Sequence, residues 1–175
     1  VWGDEFILGT DGLGRDMLTR LLFGARNTVG IAFITTVLAF VIGGIMGLLA
    51  AIYTGWFDQI ASRVVDVLMA IPQLIFALML LTIFGTSIPI LIIVIATLDA
   101  TRIFRVTRAV SLNVVVLDYF EAARLRGERI FWLCIREILP NITAPLLAEF
   151  GLRFCFVFLM IAALSFLGLG IQPPT

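Results

Sequence analysis

The sequence predicts an all-α membrane protein, a bundle of helices that crosses the lipid bilayer several times. Of the 175 residues, 61% are hydrophobic and only 14% are charged, and the mean hydropathy is +1.13. A single soluble core of this length has no room for so much apolar side chain. Long uncharged runs, such as residues 27–57 and 67–98, exceed the ~20 residues that a membrane-spanning helix needs. A helix satisfies the hydrogen bonds of its own backbone in lipid.

The composition also excludes much chemistry. All 12 basic residues are arginines, and the chain has no histidine. Without lysine there is no Walker A phosphate loop, and without histidine there is no Ser-His or Cys-His pair and no histidine metal site. The spacing of Cys134 and Cys155 indicates neither a metal site nor a redox pair, so we interpret both as small hydrophobic residues. We expect no catalytic residue, no cofactor and no metal, and hence no enzyme.

The first 27 residues are predicted to lie outside the bilayer. From Asp16 to Arg26, apolar side chains recur on one helical face, which is typical of a helix lying at the membrane surface. The first span is predicted at about residues 28–54. Within it, Gly43 and Gly47 have the GxxxG spacing that lets a second helix approach closely.

The second and third spans are predicted from one long apolar run, from Val67 to Leu98. This run is too long for one straight crossing, and it is interrupted by the breaker Gly85-Thr86-Ser87-Ile88-Pro89. We therefore place spans at about residues 64–85 and 89–108, joined by a tight turn.

Near the start of the second span, Arg63 and Asp66 are three residues apart. We expect them to pair and to hold this helix end. Pro72 is predicted to kink the span. Such a kink suits either a gating hinge or a purely structural bend.

Charged residues occur within the apolar segments. Asp99 and Arg102 follow the apolar part of the third span before an ordinary helix would have crossed the bilayer. We therefore expect this end of the span to be in contact with water, or its charges to be paired. The fourth span, at about residues 142–167, contains Glu149 and Arg153, which are four apart and share one helical face. Charges at membrane depth usually face a bundle interior or an aqueous cavity. The sequence leaves two interpretations open: these four residues line a translocation path, or Glu149 and Arg153 form a self-neutralised structural pair.

The arginine distribution predicts the orientation. With four spans, one side of the membrane carries eight arginines in its loops, namely Arg63, Arg102, Arg105, Arg108, Arg124, Arg126, Arg129 and Arg136. The other side carries Arg15, Arg20 and Arg26. Because cytoplasmic loops are enriched in basic residues, the long loop of about residues 109–141 is predicted to be cytoplasmic.

This loop is predicted to contain two short helices. Asp118 lies three residues before Glu121, the spacing of a capping box, so a helix should start there. Gly127 stands where that helix needs a left-handed residue to stop. A second helix is predicted from Glu128 to Ile138, and Pro140 is expected to end it.

The loop also alternates arginines with apolar and aromatic side chains. One interpretation is attraction to anionic lipid, worth about 1 kcal/mol per arginine. The other is a protein-docking element, a preformed helix pair that carries force from a soluble partner into the neighbouring spans.

A resemblance favours the second interpretation. The pattern Glu121-Ala122-Ala123, then Gly127, then Ile138-Leu139-Pro140 resembles the EAA loop of permease subunits in bacterial ABC importers. Two further blocks, residues 9–26 and 163–175 (ALSFLGLGIQPPT), resemble the dipeptide, oligopeptide and nickel subfamily, in its second or "C" permease type. The three blocks cover both ends and the middle of the chain.

The resemblance implies a MetI-like transmembrane domain over residues 28–175, with four spans here of an expected six, and a periplasmic segment over residues 1–27. It implies a multi-pass protein of the bacterial inner membrane that imports peptides or similar small solutes. The expected partners are a second permease subunit in a heterodimer, two cytoplasmic ABC ATPase subunits that hydrolyse the ATP, and a periplasmic or extracellular solute-binding protein. No nucleic acid is expected.

The resemblance also implies which residues couple the permease to the ATPase: Glu121, Ala122, Ala123, Gly127, Ile138, Leu139 and Pro140.

Two other classes of protein compete with the importer. A membrane scaffold or assembly protein would bind cytoplasmic partners through the arginine-rich loop without moving a solute. An intramembrane protease is disfavoured by the missing histidine and lysine. Association with an ATP-hydrolysing subunit distinguishes the importer from both.

Overall fold

The computed structural model describes residues 8–10, 12, 14 and 16–169 of the chain. In chain order its helices are α1 (Met17–Ile52), α2 (Trp56–Ala70), α3 (Gln73–Phe84), α4 (Ile88–Val115), α5 (Asp118–Leu125), α6 (Ile130–Trp132) and α7 (Leu139–Phe166), with a π-helical stretch (Leu133–Ile138) between the last two. Every regular element in the described part is a helix, which confirms the predicted fold class.

Helix α1 begins at Asp16, whose carboxylate accepts hydrogen bonds from the backbone N–H groups of Leu18 and Thr19. The helix then continues for 36 residues, about 54 Å at the α-helical rise. The surface helix expected between Asp16 and Arg26 is therefore not a separate element but the first part of α1. The sequence offers no strong helix breaker after Arg26, so the helix continues directly into the apolar run.

The second predicted span is broken rather than merely kinked. Helices α2 and α3 meet at 90° across Ile71 and Pro72. Pro72 has no N–H to donate and it forces the preceding residue out of the helical region. Ile71 accordingly has an extended backbone, with φ −89° and ψ 131°. The expected effect of Pro72 is confirmed, and it is larger than a kink.

By length and composition, two of the described helical segments could cross a membrane, Met17–Ile52 and Ile130–Phe166. A third is added if α2 and α3 together count as one broken span. Helix α4 is 28 residues long, but it carries Asp99 and two arginines within its apolar part. The presence of four spans thus stays a prediction.

Helices α1 and α4 pack closely, and two glycines of α1 allow it. A methyl group on Gly47 would lie 2.8 Å from the carbonyl oxygen of Phe104 and 2.9 Å from Cβ of Thr107. A methyl group on Gly43 would lie 2.9 Å from Cβ of Ile103. The close helix approach predicted from the GxxxG spacing is confirmed, and the partner is α4 of the same chain.

Two apolar cores hold the bundle. The first lies where α1, α3, α4 and α7 meet, and its fully buried members are Ala32, Ala77, Leu81, Leu91, Ile95, Val157, Ile161 and Leu164. The second, which we call the lower core, joins the end of α4 and the start of α7 to the loop between them. It contains Val114, Phe120, Ala123, Leu133, Ile138 and Ile142.

Candidate functional sites: the loop between α4 and α7 and a charge cluster

Helix α5 carries the Glu121-Ala122-Ala123 segment. The capping box expected between Asp118 and Glu121 is wrong, because Leu117 occupies the cap position and no side chain caps the helix. Asp118 is instead the first helical residue. Both carboxylates still lie in the first turn, where the positive end of the helix dipole favours negative charge.

One face of helix α5 is buried and the opposite face is exposed. Ala123 is fully buried and Phe120 is nearly so, both in the lower core. Glu121 and Ala122 are exposed. The lower core thus fixes one face of α5 and leaves the other face available to a partner.

Gly127 ends α5, as the sequence predicts. Its φ is +80°, the left-handed region that glycine adopts without steric cost. Its N–H donates to the carbonyl oxygen of Arg124 at 3.0 Å, and the N–H of Glu128 donates to that of Ala123 at 3.4 Å. These two bonds are those of a Schellman motif, which satisfies the last carbonyls of the helix. The bend of the loop is therefore built into the backbone.

The second half of the loop differs from the expected helix over residues 128–138. Pro140 does not end it, because α6, the π-helical stretch and α7 form one continuous helix, Ile130–Phe166, of 37 residues. In the π-helical stretch the N–H of Leu139 donates to the carbonyl oxygen of Cys134, five residues back. We infer that this wider turn accommodates the proline ring, which would otherwise clash with the preceding turn.

Of the coupling residues predicted in this half of the loop, one is buried and two are exposed. Ile138 is fully buried in the lower core, whereas Leu139 and Pro140 are exposed. The loop also exposes large apolar side chains, with Leu125 82% and Phe131 76% accessible. The exposed basic residues beside them are Arg124, Arg126, Arg129 and Arg136.

The second candidate site is a group of buried charges, which we call the charge cluster and define as Asp99, Glu149 and Arg153. The Nε atom of Arg153 donates to Glu149 Oε1 at 2.6 Å, which confirms that these two residues pair. The Nη1 atom of Arg153 lies 3.9 Å from Asp99 Oδ1. The guanidinium also lies over the ring of Phe156, 5.2 Å from its centroid.

A fourth polar residue reaches the cluster from α3. Nε2 of Gln73 donates to Asp99 Oδ1 at 3.4 Å. The cluster thus joins α3, α4 and α7. The sequence alone does not single out Gln73. A lone polar residue after a proline does not indicate that its side chain contacts Asp99, 26 positions further along the chain.

Three of the four predicted path residues come together in this cluster, and the fourth does not. Arg102 lies one turn beyond Asp99 on α4 and lines a small cavity with Gln73. Among the described residues it forms no ion pair.

The ion pair expected between Arg63 and Asp66 is wrong, since the described residues contain no such pair. Instead Asp58, in the first turn of α2, accepts two hydrogen bonds from Arg108 on α4. The Nη2 to Oδ2 distance is 2.6 Å. A bidentate arginine is geometrically more specific than a single contact, and this pair positions the start of α2.

Together these features define a class of protein: a helical membrane protein with a bent, partly anchored loop and a charge cluster between its helices. Comparison with known proteins then identifies the family. Residues 39–175 match the family described as "Binding-protein-dependent transport system inner membrane component". The chain belongs to this family, and its location is the inner membrane.

The sequences of related permeases align with nearly all of this chain. It is 38% identical over 171 residues to the di/tripeptide transport system permease protein DppC of Pseudomonas aeruginosa, covering 98% of this chain and 56% of the relative. It is 35% identical over 170 residues to the dipeptide transport system permease protein DppC of Haemophilus influenzae, covering 97% of this chain and 58% of the relative. It is 35% identical over 167 residues to the glutathione transport system permease protein GsiD of Pectobacterium atrosepticum, covering 95% of this chain and 56% of the relative. The chain thus spans a little over half the length of these relatives.

Proposed function

We propose that this chain is part of a permease subunit of an ATP-driven, binding-protein-dependent importer. Its cytoplasmic loop couples closure of partner ATPases to alternating access of the transmembrane path. The solutes are peptides or similar small molecules, as the names of the relatives suggest. ATP hydrolysis belongs to the partners.

The observation that carries this proposal is the continuity between the loop and the membrane. The segment from Ile130 to Phe166 is one helix, so a displacement of the loop moves a membrane-spanning element without an intervening flexible joint. A loop that served only to connect spans would need no such construction.

The packing of the loop supports the same conclusion. Phe120 and Ala123 of α5 pack with Leu133 and Ile138, and with Val114 at the end of α4. Because protein interiors are densely packed, a force on the exposed face of α5 passes to both α4 and α7. The Schellman motif at Gly127 keeps the angle between the two parts of the loop fixed.

The exposed surface fits a protein partner. Leu125 and Phe131 are exposed apolar anchors, and exposed arginines are their near neighbours in sequence. Aromatic and arginine side chains are enriched where proteins bind each other. The proposed partners are two ABC ATPase subunits at this surface, a second permease subunit in the bilayer and a solute-binding protein outside.

The test is site-specific crosslinking at two adjacent alanines. Cys134 and Cys155 are first replaced by alanine, and then Ala122→Cys or Ala123→Cys is introduced. We expect Ala122→Cys, which is exposed, to crosslink to an ATPase subunit in membranes. Ala123→Cys is the matched control, because the position is fully buried and should give no adduct.

The outcome also separates the importer from a scaffold. An importer crosslinks to an ATP-hydrolysing subunit and drives ATP-dependent solute uptake in proteoliposomes. Crosslinking to some other protein, or the absence of ATP-dependent uptake by the assembled complex, would contradict the proposal.

A further inference from the structure

We propose that the charge cluster is a subsite for the amino terminus of the transported solute. Asp99 receives the solute's α-ammonium group, and Arg153 donates to the carbonyl oxygen next to it. This inference rests on the proposed import function and names a chemical feature of the solute: a free amino group adjacent to a carbonyl.

Two unsatisfied atoms point to a ligand. Asp99 is only 1% exposed, yet its Oδ2 atom has no hydrogen-bond partner. The Nη1 atom of Arg153 is also buried without a hydrogen bond. Buried polar groups are nearly always satisfied, so each exception needs an explanation. Here one orphan atom is an acceptor and the other is a donor, and they belong to side chains that approach within 3.9 Å.

The balance of charge favours an ammonium group at Asp99. Glu149 already binds Arg153 at 2.6 Å, so the guanidinium is largely committed to that carboxylate. Asp99 has only the 3.9 Å approach of Arg153 and a 3.4 Å hydrogen bond from neutral Gln73. Arg102 is the other nearby cation; it lines the small cavity with Gln73 and forms no ion pair with Asp99 in the described part of the chain. The unmet charge is therefore negative.

The position in the fold supports a solute site. Asp99 lies about 17 Å along α4 and Arg153 about 21 Å along α7, at 1.5 Å per residue. Both residues therefore lie in the interior of 28-residue helices rather than at their ends. Gln73 is the first residue of α3, directly after the 90° break. In secondary transporters, solute sites are often formed beside broken helices.

In this conformation the subsite is closed. Asp99 is 1% exposed, and the neighbouring cavity at the break between α2 and α3, lined by Gln73 and Arg102, holds only about 30 Å³, far too little for a peptide. A peptide enters only when α3 moves away from α4. The break at Pro72 is the place where α3 can move relative to α2, and alternating access requires such a closed state.

The experiment measures solute binding to the purified complex of both permease subunits and the ATPases in nanodiscs, without the binding protein. The probes are tri-alanine and N-acetyl-tri-alanine, which lacks the ammonium group. Saturation-transfer NMR detects weak binding in the presence and absence of a non-hydrolysable ATP analogue. We expect wild type to bind tri-alanine at least about tenfold more tightly than the acetylated probe, the ratio for one charge-assisted hydrogen bond.

Variants test whether the preference for the free amino group arises at Asp99. Asp99→Asn should remove the preference between the two probes, and Asp99→Glu, which restores the charge, should regain part of it. Asp66→Asn makes the same chemical change on α2 outside the cluster, and it should keep the wild-type ratio. If Asp99→Asn and Asp99→Glu behave alike, or if Asp99→Asn keeps the preference, the cluster is structural and the proposal fails.

Equal binding of both probes to wild type would mean that a trapped water molecule satisfies the orphan atoms, which would also overturn the proposal. The import function is tested separately by ATP-dependent uptake of tri-alanine with the binding protein present. Uptake without any preference at the cluster contradicts only the subsite, whereas absence of all peptide uptake contradicts the proposed function itself.

Discussion

Asp58 and Arg108 form a bidentate ion pair between helices, although the two residues are 50 positions apart in sequence. The pair fixes the first turn of α2 against α4, and α2 in turn leads to the break at Pro72. The side chains are 14% and 31% exposed, so water screens the interaction in part. The contact positions the broken helix at its first turn.

A double-mutant cycle measures this contact. We expect Asp58→Asn and Arg108→Gln each to lower the free energy of unfolding, and the pair to show a coupling energy of about 1 kcal/mol, typical of a partly exposed ion pair. Denaturant unfolding of the reconstituted chain gives the values. The control is Asp66→Asn combined with Arg108→Gln, which should be additive. A coupling as large in the control would contradict a specific pair.

The same pair predicts a pH dependence. Hydrogen bonds from Arg108 hold the pKa of the Asp58 carboxyl below its ordinary value of 3.8. A depressed pKa means that the folded state binds the proton less well than the unfolded state. Its contribution to stability is therefore complete above 3.8 and is lost as the pH falls through the lower, folded-state pKa. The difference in unfolding free energy between wild type and Asp58→Asn should shrink only below pH 3.8. A loss that begins near neutral pH would contradict this assignment.

Local signals in the sequence predict local structure well. The glycine at 127, the proline at 72 and the GxxxG pair each act through backbone geometry within a few residues, and all three behave as expected. Long-range pairing cannot be predicted in this way. Arg63 and Asp66 are close in sequence and still do not pair, whereas Asp58 selects Arg108 because the close packing of α1 and α4 and the short turn after α1 bring α2 beside α4. The predictions for Asp118 and Pro140 are wrong because Leu117 occupies the cap position of α5 and a π-helical stretch carries the helix past Pro140.

Substitutions of neighbouring glycines test the packing of α1 on α4. Gly47→Ala places a methyl group against Phe104 and Thr107, so we expect a loss of about 1 to 3 kcal/mol, the usual cost of overpacking. The thermal midpoint in detergent should fall accordingly. Gly44→Ala is the matched control, because a methyl group at this position has no neighbouring atom within 4 Å. The control should be neutral or slightly stabilising, since alanine favours helix more than glycine does. Equal effects of the two variants would mean that α1 does not pack on α4 at Gly47.

The bend of the loop between α4 and α7 can be perturbed at Gly127 without adding a clash. No atom lies within 4 Å of a methyl group placed there, but φ is +80°. Gly127→Val should strain the backbone by about 1 to 2 kcal/mol and alter the angle between α5 and α6. We expect ATP hydrolysis by the assembled importer to become uncoupled from uptake, measured as more ATP hydrolysed per solute. Gly127→Asn is the control, because asparagine tolerates left-handed geometry, and it should keep most of the coupling. Normal coupling in Gly127→Val would show that the bend has no part in transmission.

The charge cluster predicts an asymmetry between removing one charge and removing all three. Arg153→Leu removes the ion-pair partner of both Asp99 and Glu149, and breaking a largely buried pair in this way costs about 3 to 5 kcal/mol. The triple variant Asp99→Asn, Glu149→Gln, Arg153→Leu removes every charge and should recover most of that stability, since neutral polar groups are far less costly to bury than unpaired ions. Transport should not recover with it, because the proposed ammonium site is gone. Thermal unfolding and peptide uptake on the same preparations check both parts. A triple variant as unstable as Arg153→Leu would mean that the three charges do not compensate one another. A stable triple variant with wild-type uptake would assign the cluster to structure alone.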